Sequence, residues 1–66
     1  MARVRLTYEH PPGSGQPGVQ RTWDESQPME SNRGQITALE VQVGDFLRVV
    51  PRYMTKVVAV ESVPEE

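Results

Sequence analysis

Hydrophobic and polar positions alternate along much of this chain, a period-two rhythm that predicts strands rather than helices. In Arg3-Val4-Arg5-Leu6-Thr7-Tyr8 the apolar set Val4, Leu6 and Tyr8 falls on one face and Arg3, Arg5 and Thr7 on the other, as a half-buried strand requires. Val19-Gln20-Arg21-Thr22-Trp23 reads as a second short strand, with Val19 and Trp23 sharing a face and Arg21 an awkward third member of it. The stretch 38–60 (ALEVQVGDFLRVVPRYMTKVVAV) organises the rest. It holds most of the valines and is interrupted at Gly44-Asp45 and Pro51-Arg52, which predicts three successive strands.

Within that stretch the pattern also predicts register. A strand opens at Gln35-Ile36-Thr37-Ala38, and its apolar phase then slips from even positions (Ile36, Ala38) to odd ones (Leu39, Val41, Val43). A β-bulge near Ala38-Leu39 reconciles the two halves. A three-residue loop of Gly44-Asp45-Phe46 pairs Val43 with Leu47 and Val41 with Val49, keeping all four on one face and leaving Phe46 partly exposed at the turn. Asp45 is expected to cap that turn through its side chain. Residues 55–60 are apolar on both faces apart from Lys56, the signature of a central strand covered on both sides.

Two connections are polar. Residues 9–18 (EHPPGSGQPG) hold three prolines and three glycines and are expected to form a mobile surface loop. Residues 24–34 form a second one, with Met29 its only apolar residue, pinning it to the core. Five short strands with polar turns and no helix give an all-β fold: a small five-stranded barrel or curled antiparallel sheet, SH3-like or OB-like. One domain spans residues 1–63, and residues 64–66 form a charged tail.

Size and charge narrow the picture. A chain of 66 residues without cysteine has no disulfide and no thiolate metal site, and a core this small supplies only about 3–5 kcal/mol. Oligomerisation, or docking on a larger protein, is the expected supplement. Seven Lys plus Arg against nine Asp plus Glu give a net charge of −2, so nothing draws the chain in bulk to phosphate backbones or anionic membranes. No apolar run reaches the ~18 residues of a membrane span, and the start MARVRL lacks the apolar core of a signal peptide. The expected setting is soluble: cytoplasm or a macromolecular assembly.

The chemistry-bearing motifs are weak. Gly13-Ser14-Gly15-Gln16-Pro17-Gly18 spells G-x-G-x-x-G, but Pro17 and the β-type residues after it leave no helix to receive a phosphate. His10, the only histidine, sits beside Glu9 and near Ser14 in a loop that cannot hold a triad. The carboxylates Asp24-Glu25 and Glu65-Glu66 are sequence neighbours and point apart. No enzyme, cofactor or metal site is expected. The expected role is a non-catalytic interaction or structural subunit, docking on a larger assembly (a capsid- or complex-stabilising small protein) or on an enzyme as adaptor or inhibitor. Its partners are a larger protein or copies of itself. Phe46, Arg52, Tyr53 and Met54 are the expected anchors, since aromatic, Met and Arg side chains favour interface centres, together with Pro11 and Pro12 of the first loop. The alternative is a single-stranded nucleic-acid-binding barrel using Arg3, Arg5 and Arg21 on one face and Arg52, Tyr53 and Lys56 at the last turn. The missing basic surplus weighs against it.

Overall fold

The computed structural model describes residues 2–50 and 53–64, with the backbone alone for 49, 50 and 53. Alternating side chains form six strands: β1 (Arg3–Glu9), β2 (Pro17–Asp24), β3 (Pro28–Ser31), β4 (Gly34–Thr37), β5 (Phe46–Val50) and β6 (Tyr53–Val63). They make one antiparallel sheet in the order β2-β1-β6-β5-β3-β4, and among the described residues no pairing closes it into a barrel. The all-β, antiparallel expectation holds. The count of five and the closed barrel do not. The strand that was missed is β3, inside the polar stretch 24–34. There Met29 and Ser31 turn inward while Pro28 and Glu30 face solvent, and two inward residues are too short a signal for a period-two reading.

The sheet covers one face with a small core of Val4, Leu6, Tyr8, Met29, Ala38, Val41, Leu47 and Val57, against which Val19, Trp23 and Ile36 pack from the rim. Curvature lets a single sheet do this. Going from Tyr8 to Glu9, the pairing with β2 jumps from Val19 to Pro17, so Gly18 is an extra residue. Across β1's other edge, Thr7 meets Ala59 and Tyr8 meets Val57, so Val58 is extra in β6. Two bulges flanking the same level of β1 add twist and bend the sheet there. They bend it around Tyr8, the largest fully buried side chain. Gly18 is required at its bulge, because a Cβ in that position would run into Cβ of His10.

The second correction concerns residues 38–45. They do not continue a strand into a hairpin. Ala38–Glu40 form a single 3₁₀ turn, residues 41–45 belong to no strand, and β5 pairs with β6 and β3 rather than with the strand before it. The slip of apolar phase therefore marks the end of β4, not a bulge within it. The 3₁₀ turn is held to the preceding loop, where Ala38 N donates to Gln27 O (2.9 Å) and Leu39 N to Glu25 O (3.0 Å). Ala38 and Val41 point into the core, while Leu39 and Val43 are 61% and 65% exposed. β6 is central, as expected, because it is paired on both edges. It is not covered on both faces: Val57 is buried but Val58 is half-buried and Val60 exposed.

This packing separates two valines that alternation alone puts on one face. Val41→Ala is expected to lower stability by about 2 kcal/mol through its buried methyl groups. Val43→Ala should stay within about 0.5 kcal/mol of the parent. Equal losses in urea unfolding would contradict the placement of residues 41–45.

Candidate functional site

The most organised polar cluster lies where the β3–β4 turn meets the loop before β5. Asp45 is buried, and its Oδ2 accepts the Gln42 N–H (2.9 Å) and a proton from Arg33 Nη2 (2.7 Å). The same Arg33 nitrogen donates to Glu40 O (2.9 Å). Backbone bonds continue the knot: Asp45 N to Gln42 O (3.1 Å), Val57 N to Asp45 O (2.8 Å) and Gly44 N to Val57 O (2.9 Å). Gly44 takes a left-handed φ of +97°, which a β-branched residue would resist. The expected cap by Asp45 is present but reaches backward to Gln42. The Gln42 N–H, ahead of the Arg33 guanidinium, holds the Asp45 carboxyl below the usual aspartate range.

Phe46 follows directly and is fixed by its backbone. Asn32 Oδ1 accepts the Phe46 N–H (3.2 Å), and Asn32 N donates to Phe46 O (3.0 Å). Register places Phe46 opposite Lys56 on the face of the sheet away from the core, since the next pair, Leu47 and Thr55, is buried. Alternation along β6 puts half-buried Met54 on that same outer face. Phe46 is 41% exposed, so part of an aromatic ring meets water on a backbone held at both its N–H and its C=O. Nearby β3 and β5 carry the Glu30–Arg48 ion pair (3.2 Å).

Of the residues expected at an interaction surface, Phe46 and Met54 share this outer face. Arg52 and the Tyr53 side chain lie outside the described residues. Pro11 and Pro12 are exposed in the β1–β2 connection. That connection has its own bonds: Ser14 N donates to Pro11 O (3.1 Å), His10 N to Gln16 O (3.0 Å) and Gly13 N to Glu9 Oε2 (2.6 Å). The His10–Pro11 peptide is cis. The Ser14 hydroxyl accepts the Gln16 N–H (3.2 Å). Among the described residues, no three His, Asp or Glu side chains gather where a metal ion would be held, and no helix is long and apolar enough to cross a membrane.

The expected arginine stripe divides. Arg3 and Arg5 are on the outer face, but Arg21 stands opposite Leu6 on the inner one. Arg3 is paired with Asp24 (3.7 Å) and Arg5 with Glu61 (3.3 Å), so their charges are answered within the sheet. What sequence reading missed is the role of Asn32 and Arg33, which clamp the loop beneath Phe46 from a turn that the Ser31 hydroxyl shapes. The Asn32 and Arg33 side chains bond to residues 7 to 14 positions away in the chain, and no local pattern announces such contacts. The chain matches no known protein family, no curated protein and no solved structure.

The knot gives a pH prediction. Asp45 has a lowered pKa in the folded state, so its contribution is complete above the ordinary aspartate range and fades as pH falls through the folded value. Asp45→Asn should cost about 1–2 kcal/mol at neutral pH. Unfolding midpoints of parent and variant should converge as the buffer is made acidic. A constant gap between them down to strongly acidic pH would rule this out.

Proposed function

We propose that this chain is a non-catalytic interaction subunit that docks on a larger protein, as an assembly-stabilising component or as an adaptor, through the outer sheet face around Phe46. The observation that carries the reading is the pairing of an exposed Phe46 ring with a backbone whose N–H and C=O are both held by Asn32. Exposing an aromatic ring leaves its burial energy unused in the fold, on the order of 1.5–3 kcal/mol for a full side chain. Locking it removes part of the ordering cost that binding otherwise imposes. Met54 and Lys56 beside it add an adaptable apolar contact and a cation. Lys56 has no ion-pair partner among the described residues, which suits a partner with an apolar hollow and an acidic rim.

A second reading, single-stranded nucleic acid, is favoured by one observation, the cross-strand pair Phe46–Lys56. An aromatic platform beside a cation stacks a base and meets a phosphate. The ion-paired Arg3 and Arg5 and the net charge of −2 weigh for the protein partner.

The test is a capture experiment from the source cells, with immobilised parent chain and Phe46→Glu side by side. The expected outcome is a protein retained by the parent and weakened about 30-fold or more by the variant, as for a central anchor, while both unfold at the same denaturant concentration. A partner held equally by both chains would refute the assignment of the surface. Salt-sensitive binding of oligothymidine, lost in Phe46→Glu, would favour the nucleic-acid reading instead.

A further inference from the structure

Strand β2 ends the sheet and, among the described residues, pairs only with β1. Its inner-face residues Val19, Arg21 and Trp23 stand opposite Tyr8, Leu6 and Val4. Val19 and Trp23 are half-buried against the core rim, and Trp23 Nε1 donates to Tyr8 Oη (2.8 Å). Arg21 lies exposed between them. A cation in the middle of an apolar row on an edge strand is poorly placed unless it meets water or an anion. Arg3, Arg5, Arg33 and Arg48 each hold a carboxylate. Arg21 alone of the described arginines does not.

We propose that the open margin of β2 takes up an extended segment of a partner protein, with an acidic residue opposite Arg21 and apolar residues opposite Val19 and Trp23. Residues directly opposite in a ladder share a face, so this apolar–x–acid–x–apolar pattern matches the inner row of β2 side chain for side chain. The backbone groups left open at a sheet margin hold the segment, and the alternate side chains select it. A second copy of this chain does not fit. Self-pairing that keeps the core faces together would set Arg21 against Val19, Arg21 or Trp23, and none of these is acidic. The residue that guards the edge against self-association therefore also defines what it accepts. The proposal rests on the reading of the chain as an interaction protein but occupies a surface separate from Phe46.

The experiment titrates the full isotope-labelled chain with the peptide Thr-Val-Thr-Glu-Thr-Val-Thr and with its counterpart carrying Lys in place of Glu. The expected result is amide shift changes confined to residues 17–24 and the adjoining β1. Affinity for the Lys peptide should be weaker by on the order of tenfold, the effect of replacing an opposite charge with a like one across a strand pair. Arg21→Glu should reverse the preference and Arg21→Gln should abolish it, while Phe46→Glu leaves it intact. Equal binding of both peptides, shifts elsewhere in the chain, no shifts at millimolar peptide, or dimerisation of the free chain through β2 would overturn the proposal. Phe46-dependent capture would stand or fall independently of all of these.

Discussion

One carboxylate joins pieces of chain that no strand ladder connects. The Asp45 carboxylate binds the loop before it through Gln42 and the β3–β4 turn through Arg33, and the backbone carbonyl of the same residue accepts the Val57 N–H of the central strand. Without that knot, nothing regular would hold residues 41–45 under the sheet, and Val41 would not reach the core. Because Asp45 is buried, its charge has to be satisfied, and the two donors that satisfy it arrive from different parts of the sequence. Such bonds to an ionised acceptor are roughly twice as strong as neutral ones. In a domain with so small an apolar core, a few of them carry an unusual share of the specificity of the fold.

Strand alternation separates the two faces of the sheet. The inner face spends its apolar residues on one small core bent around Tyr8 by bulges on both sides of β1. The outer face is wet and laced with exposed cross-strand ion pairs, Arg3–Asp24, Arg5–Glu61 and Glu30–Arg48. Exposed pairs of this kind contribute about 0–1 kcal/mol each, so their effect is on register more than on stability. Phe46 departs from this pattern. It is a large ring on the wet face, and its backbone N–H and C=O are both held by Asn32.

The two margins of the sheet are treated differently. On one side β4 is only four residues long and gives way at once to the 3₁₀ turn, and short edges offer little template for pairing. On the other side β2 is eight residues long and carries Arg21 on its inner face. One margin is closed by brevity, and the other is selective through charge.

What the sequence determined by itself was whatever depends on neighbours in the chain. Alternation in residues 3–8 and 19–23 gave β1 and β2 and the faces of Val4, Leu6, Tyr8, Val19 and Trp23. Met29 alone in a polar run marked a contact with the core, and Phe46 was legible as exposed. The tertiary structure decided the rest. Residues 38–43 alternate like a strand, yet their backbone groups bond to Glu25 and Gln27 and their ends are fixed by Asp45, Arg33 and Val57, partners remote in sequence. The pairing of β5 with β6 and β3, and hence the place of Phe46 at the start of β5 rather than in a hairpin turn, was set by long-range contacts. Local pattern specifies which face of a strand is apolar, but only long-range hydrogen bonding specifies which strand lies beside it.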